Sequence, residues 1–317
     1  MYAYLLRRIW IAIILMVVVS ALVFIMMRGL PGDPAYIALG EAASAAEIEA
    51  YRDRMGLNLP LPVQYWNWIS GILTRWDFGL SVLNARDVSA IISERLPRTL
   101  MIGIPSILVG VLMGIPVGVV MATRRGSVFD QGLILMVNSF LGTPRFLIAI
   151  FGVVILGMQL GLIPLQGYTA PWDDFWSFLH KAFWPIMVNS LYVFAVVARY
   201  LRTNLLEVMN QDFIRTARAN GLSERRVVYG HAIKNALIPV ITIIGLQMPH
   251  IVGGSVIVET IFNIPGIGHL VLLGILERDY LVVQAAVLAI AAVTITSNLV
   301  VDVAYAVVDP RIRKSMK

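Results

Sequence analysis

TLMIGIPSILVGVLMGIPVGVVMAT, from Thr99 to Thr123, is 25 residues long, carries no charge, and is closed by Arg124 and Arg125. A helix that crosses a bilayer needs about 20 predominantly apolar residues in a row, and this stretch supplies them. Other runs match it. Ile9 to Met27 gives 19 uncharged residues preceded by Arg7 and Arg8. A third run begins near Gly132 and reaches about Met158, interrupted by Pro144 and Arg145. Ala182 to Ala198 is the shortest, at 17 residues. Asn235 to Val258 and Leu281 to Val308, with Asp302 inside it, complete the set. Six crossings predict an all-α integral membrane protein with both termini on one side.

Composition agrees. Of 317 residues, 58% are hydrophobic and 14% are charged, where a soluble domain carries about 25% charged residues. Mean hydropathy is +0.79. These values exclude a soluble enzyme and a disordered chain. The absence of cysteine excludes a disulfide scaffold and a thiolate metal site. The first apolar run is longer than the roughly 7–15 residues of a secretory signal core. Arg28-Gly29-Leu30-Pro31-Gly32-Asp33-Pro34 after it has no A-x-A character, so an uncleaved anchor is expected.

Lys/Arg bias in the flanking segments sets orientation. Residues 1–8, 124–131, 199–234 and 309–317 hold 15 Lys/Arg and 5 Asp/Glu. Residues 28–98, 159–181 and 259–280 hold 9 Lys/Arg and 13 Asp/Glu. Both termini are therefore expected in the cytoplasm, whether or not the long segment 28–98 is counted. The net charge of +6 is that asymmetry, not a nucleic-acid-binding face. The chain divides into an anchor helix (1–28), a partly folded external segment (29–98), a transmembrane core (99–308) with a cytoplasmic loop (199–235), and a tail (309–317). In the external segment, Ala43 to Arg54 predicts an amphipathic helix, with Ser44 as N-cap and Glu47 three residues on. Leu59-Pro60-Leu61-Pro62 reads as a break. Tyr65, Trp66, Trp68 and Trp76 then either lie at the outer membrane interface, where such rings concentrate, or pack as a cap over the helices. Trp172 and Trp176 repeat the theme between Gly167 and Lys181.

Several chemistries are missing. No G-x-x-x-x-G-K-[ST] occurs, so the chain has no P-loop for nucleotide phosphates. His180, His231, His250 and His269 show no metal-ligand spacing. Ion-coupled transporters place ionisable residues at mid-depth; here there is little beyond Arg145, with Asp302 near the inner end of the last run. Energy for transport is expected to come from elsewhere.

The longest cytoplasmic stretch is Arg199 to Lys234. Leu205, Val208 and Met209, then Phe213, Ile214 and Ala217, recur at mostly three- and four-residue steps, which is helical periodicity. Gly221 can stop that helix. Ser223 can cap a second short helix, with Glu224 at its positive end, and Val227, Val228, His231 and Ala232 give it an apolar side. Two short helices joined at a glycine make a knob that could pass force to a soluble partner. A solvated basic loop that only sets topology is the alternative.

Phe213-Ile214-Arg215-Thr216-Ala217-Arg218-Ala219-Asn220-Gly221-Leu222, followed by His231-Ala232-Ile233-Lys234-Asn235-Ala236-Leu237-Ile238-Pro239, resembles the signature loop of binding-protein-dependent ABC importer permeases. The resemblance is nearest to the dipeptide/oligopeptide/nickel branch. It extends through Pro31-Gly32-Asp33-Pro34, Pro62-Val63-Gln64-Tyr65, Glu94-Arg95-Leu96-Pro97, Val258-Glu259-Thr260-Ile261-Phe262, Pro265-Gly266-Ile267-Gly268, Arg278-Asp279-Tyr280, Val282-Val283-Gln284, Asn298-Leu299-Val300-Val301-Asp302 and Asp309-Pro310-Arg311-Ile312-Arg313. The general motif is EAA-x3-G followed by I-x-LP. Arg215, Thr216 and Ala217 stand where Glu-Ala-Ala would, and Lys234 where the closing Pro would. The peptide branch tolerates this form, and it argues against the maltose-type branch.

The resemblance implies a type I importer permease fold in a bacterial-type inner membrane, with no chemistry and no cofactor on this chain. It implies a second homologous permease, two ATP-binding subunits that hold ATP and Mg, an external solute-binding protein and a peptide substrate. It makes residues 215–231 the coupling region docked on an ATP-binding subunit: Arg215, Thr216, Ala217, Arg218, Ala219, Gly221, Leu222, Ser223, Glu224, Arg225 and His231. Nickel or another small solute is the alternative within the family.

Gly110, Gly114 and Gly118 fall at four-residue steps, a spacing that lets helices approach closely in lipid. Arg145 would lie roughly 20 Å along a helix begun near Gly132. An intramembrane arginine defaults to a functional hypothesis: it could attract a peptide carboxylate. Alternatively Pro144 breaks the helix, and Arg145 snorkels or pairs with a carboxylate such as Asp302. Asn138, Asn189, Gln247 and His250 are further path candidates. The last two, three apart, would share one helix face. Interhelical hydrogen bonding is the alternative for them. Outside the importer reading stand an ion-coupled secondary transporter and a membrane anchor or sensor without transport.

Overall fold

The computed structural model describes residues 2–29, 34–40, 42–249 and 255–308, all helix, turn or loop apart from one bridge between Leu80 and Asp87. Helix α1 is Tyr2–Arg28, α2 Pro34–Leu39, α3 Ala45–Arg54 and α4 Leu61–Arg75. Then come α5 Val88–Thr123, α6 Val128–Gly142, α7 Arg145–Gln159, α8 Phe175–Val208, α9 Asp212–Ala219 and α10 Glu224–Leu246. Helices α11 Val256–Ile261, α12 Ile267–Leu276 and α13 Tyr280–Val308 complete the chain. Among the described residues, α1, α5, α8, α10 and α13 are long and apolar enough to cross a membrane. The bent pair α6–α7 makes a sixth if it counts as one span.

The glycine ladder sets the centre of the bundle. A Cβ on Gly110 would lie 2.7 Å from Val193 Cβ, one on Gly114 2.8 Å from Val197 Cβ, and one on Gly118 2.8 Å from the Ala198 carbonyl oxygen. Both series rise together, so α5 and α8 run parallel. The chain between Thr123 and Phe175 must therefore travel back along the bundle, and α6–α7 is that return. It is not the single helix expected from Gly132 to Met158. Pro144 and the residue before it cannot continue α6, and the two halves meet at 102°. The second half runs as a π-helix from Gly152 to Gln159, where the Trp184 indole lies directly against Gly152.

Other boundaries differ from expectation for the same reason: polar residues at helix ends continue the helix. Helix α5 starts eleven residues before Thr99, and at 36 residues it is about 54 Å long, well beyond the roughly 30 Å hydrocarbon core. Glu94, Arg95 and Arg98 ride on that extension. Helix α8 has 34 residues instead of 17 and carries Leu205 and Val208, so these belong to a span and not to the knob. In the fifth run α10 ends at Leu246, residues 247–249 form a turn, and α11 begins at Val256. His250, Pro31-Gly32-Asp33 and the tail 309–317 lie outside the described residues.

Helix α3 has a capping box: Ser44 Oγ accepts from Glu47 N, and Glu47 Oε2 accepts from Ser44 N at 2.8 Å. The proline break is the start of α4, with Pro62 in its first turn. The aromatic group divides. Tyr65 and Trp68 pack on Phe24 of α1, and Tyr65 Oη meets Ser20 Oγ at 2.8 Å. Trp66, Trp76, Trp172 and Trp176 are exposed. The packed-cap reading holds for Tyr65 and Trp68.

Candidate functional site

Helix α9 lies under the ends of α5 and α8. Its Ile214 and Ala217 are buried in one cluster with Val119, Ala122, Leu205, Val208, Val227 and Val228. Arg215, Thr216, Arg218 and Ala219 are exposed on its outer side. The helix stops as its sequence requires. Gly221 has φ of +77°, Gly221 N donates to Arg218 O, and Leu222 N donates to Ala217 O, which together make a Schellman ending. Leu222 turns back onto the cluster. Arg218 Nε then meets Glu224 Oε1 at 2.6 Å across the turn. That hydrogen bond holds the guanidinium above its ordinary value.

The second half of the knob is not a separate helix. Glu224 begins α10, which runs on through a π stretch (Val227–Ala232) into the span. Ser223 occupies the N-cap position with extended backbone but makes no side-chain cap bond. Arg225 is exposed, and His231 is exposed rather than part of the apolar side; its carbonyl accepts from Asn235 Nδ2. The apolar side consists of Val227, Val228 and Ala232. Tyr229 on α10 and Phe213 on α9 present exposed rings at this end, and periodicity alone did not single out Tyr229.

The path candidates are not all brought together. Arg145 is the first residue of α7, just past the bend, and not 20 Å along a continuous helix. Its guanidinium sits over the Tyr192 ring of α8, 4.5 Å from the centroid. Asp302 is not its partner: Asp302 Oδ2 lies 3.0 Å from Arg8 Nη1, tying α13 to α1. Asn189 is one turn before Tyr192, buried, with no partner for Oδ1. Gln247 is also buried with Oε1 unpartnered, but it follows the end of α10 and is not on a helix face. Asn138 stands exposed on α6. A largely apolar cleft of about 250 Å³ opens between α5 and α13, with Ile104, Leu108 and Met248 on its walls and Thr296 and Ser297 as its polar lining.

A buried ion pair holds the return helix. Asp130, 2% exposed, takes both Arg202 Nε (3.1 Å) and Nη2 (2.9 Å), plus Gly126 N (3.0 Å). It fixes the first turn of α6 to α8. In the sequence the two stand 72 positions apart, each a charge in a flanking segment with no local mark of the other.

Residues 114–314 match the family described as binding-protein-dependent transport system inner membrane component, and residues 1–103 match its N-terminal family. The chain belongs to this family. The oligopeptide transport system permease protein AppB of Bacillus subtilis is 38% identical over 317 residues, covering 98% of this chain and 99% of that one. The probable peptide ABC transporter permease protein y4tP of Sinorhizobium fredii is 37% identical over 99% of this chain and all of that one. Among solved structures, an inward-facing MetNI methionine ABC transporter chain superposes with a TM-score of 0.57. It covers 69% of this chain and 97% of that one, at 17% identity. The fold is that of a type I ABC importer permease.

In this inner membrane component, two sequence motifs meet at the end of the bundle that carries α3 and α4. Glu259 is fully buried. Its Oε1 accepts from Thr99 Oγ1 and Ser255 Oγ, each at 2.8 Å, and its Oε2 accepts from His269 N at 2.9 Å. Thr99 Oγ1 in turn accepts from Ile267 N at 2.8 Å. The first turn of α12 is thus capped by a carboxylate from α11 and a hydroxyl from α5, and the helix dipole favours the negative group there. Gly266 and Gly268 leave the room; a Cβ on Gly266 would collide with the Glu259 carboxyl group. Asp279 plays a similar part for α13: it accepts from Ser81 Oγ at 2.5 Å and from Val282 N.

Proposed function

We propose that the chain is a permease subunit of an ATP-driven importer and forms part of the path by which peptides, delivered by an external binding protein, cross the inner membrane. The full-length likeness to peptide permeases carries this reading, because it includes the external segment as well as the core. The chain supplies no catalytic group for ATP hydrolysis, which falls to separate ATP-binding subunits. Two of these and a second homologous permease complete the assembly.

The charge bias and the parallel run of α5 and α8 support an orientation with both termini and α9 in the cytoplasm. Helix α9 and the start of α10 are the surface offered to an ATP-binding subunit. Arg215, Thr216, Arg218, Ala219, Ser223, Glu224, Arg225 and His231 present its polar exterior, and Ala217, Gly221 and Leu222 fix its shape. Because Ile214 and Ala217 share a packed cluster with α5 and α8, a push on α9 moves those spans directly. Arg145, Asn189 and Gln247 are the polar groups assigned to the path.

The test is reconstitution of the purified complex in vesicles. Uptake driven by ATP, requiring the binding protein, and peptide found by mass spectrometry on that binding protein are the expected results. Uptake that collapses with the ion gradient while ATP is present would replace the importer with a secondary transporter. A metal or other small solute on the binding protein would change the substrate class alone.

A further inference from the structure

Helices α1 and α13 meet at both ends. Arg8 on α1 pairs with Asp302 on α13. Far from that pair, Arg28 at the end of α1 and Tyr280 at the start of α13 line one cavity. The 19 uncharged residues between, Ile9 to Met27, make about 28 Å of helix, close to the hydrocarbon core of roughly 30 Å. Arg8 and Arg28 therefore mark the two bilayer boundaries. The cavity lies at headgroup level, on the end of the bundle that carries α3 and α4.

The cavity is half-enclosed, about 220 Å³ in volume, and walled by α1, α3, α4, the turn after α4 and α13. Met27, Trp68, Phe78 and Leu281 give it apolar walls. Its full charges are two guanidinium groups, Arg28 and Arg75, against one carboxylate, Asp77. Asp77 Oδ1 already accepts from Gly79 N at 2.9 Å. Arg28 is half-buried over the Phe24 ring, 5.4 Å from its centroid. Among the described residues, no ion pair takes up Arg28 or Arg75. Two buried amides stand in the same wall. Gln64 Nε2 donates to the carbonyls of Leu57 and Leu59, which leaves Oε1 without a partner, and Gln284 Nε2 has none either. Buried cations and amides call for partners, and the apolar walls call for an apolar neighbour. An anionic amphiphile supplies both. The outward face of α4 says where it comes from. Val63, Trp66 and Leu73 are exposed along one side of the helix and Trp76 at its end, while Gln64 and Gly71 on the opposite side are buried. An exposed apolar stripe with tryptophans suits a helix lying at the membrane interface.

We propose that this cavity binds the phosphodiester headgroup of a membrane phospholipid, with the phosphate against Arg28 and Arg75 and the acyl chains leaving into the bilayer. Gln284 Nε2 lies just behind the wall and reaches the phosphate by a turn of its amide. The lipid fills the gap between α1, α4 and α13 and ties the external segment to the bundle. This goes beyond the importer reading and does not depend on it; it needs only that the chain crosses a membrane.

The experiment uses the whole complex in mild detergent. Native mass spectrometry counts retained phospholipid, and thermal unfolding follows the response to added phosphatidylglycerol or to inorganic phosphate alone. Wild type should retain one phospholipid more than Arg28→Gln under the same delipidation. Arg28→Gln should need about tenfold more phosphatidylglycerol for the same rise in midpoint, the scale of one hydrogen bond to a charged group. Arg28→Lys keeps the charge without the fork and should fall between the two. Gln284→Leu separates a ligand from packing: with no ligand, removing an unpaired buried amide raises the midpoint and leaves the lipid response unchanged, whereas the proposal expects a weaker lipid response. Equal retention and equal lipid response in wild type and Arg28→Gln would overturn the site. A wild-type response to inorganic phosphate that matches the response to lipid would overturn the lipid as its occupant. If Arg28→Gln fails to assemble, Arg28→Lys and Gln284→Leu decide: wild-type lipid responses in both refute the proposal.

Discussion

Replacing Gly114 with alanine should destabilise the protein, although alanine is the better helix former. A Cβ there would stand 2.8 Å from Val197 Cβ and 2.9 Å from both Phe194 O and Val197 Cγ1. Carbon–carbon contacts settle at about 3.5–4.0 Å, so α5 and α8 must part by up to about 1 Å, and a gap of that size forfeits a quarter to a half of each dispersion contact along the seam. One of the atoms met is a backbone oxygen, so a rotamer change offers no relief. The expected loss is about 1–3 kcal/mol, the usual scale of overpacking. Once the helices have parted, Gly110→Ala and Gly118→Ala should add little, since the three residues share one seam and their effects couple. Gly132 on α6 has nothing within 4 Å of its Cβ position, so Gly132→Ala should stabilise by about 0.5–1 kcal/mol. The assay is unfolding of the purified protein in detergent, followed by tryptophan fluorescence. A Gly114→Ala protein as stable as wild type, or a triple variant whose loss equals the sum of the singles, refutes close packing as the role of the ladder.

Asp130→Asn should destabilise by about 3 kcal/mol, because it strands the Arg202 guanidinium; the Asp130→Asn/Arg202→Gln pair should lose less than the two singles combined, measured in the same unfolding assay. Gly221→Ala places a side chain at positive φ and should cost about 1–2 kcal/mol locally, read as faster hydrogen exchange in α9 and weaker coupling of ATP hydrolysis to uptake. In α3, the Ser44 hydroxyl and then the Ser44 N–H hold the Glu47 carboxyl below its ordinary range. The cap is therefore fully present above the unfolded value and is lost as pH falls through the folded one, and exchange protection of the α3 amides should follow that curve. Arg145→Gln should lower peptide uptake with assembly intact; unchanged uptake and specificity would remove Arg145 from the path.

The candidate site was legible where its signals are local. The Gly221 stop, the buried Ile214 and Ala217 and the Ser44 cap all depend on neighbours within one or two turns, and spacing carries them. Ser223 and His231 misled because the residues after them continue into α10: a cap and an apolar side were assigned to a helix that does not end. Gln247 misled because the fifth helix stops one residue earlier. Arg145 was expected within a continuous helix, and the bend at Pro144 makes it the first residue of α7 instead.

The sequence by itself determined that the chain crosses a membrane six times if the return pair is counted, where the basic residues gather, and which short segments cap or stop. Those properties follow from run length, charge and residues three or four apart. The tertiary structure decided which charges are structural. Asp130 finds Arg202, Asp302 finds Arg8, and Thr99 finds Glu259 160 positions away. In an apolar solvent every buried polar group needs a partner from within the protein, and nothing in the local pattern names that partner. It is fixed only when α5 and α8 run parallel and the broken pair α6–α7 brings the chain back between them.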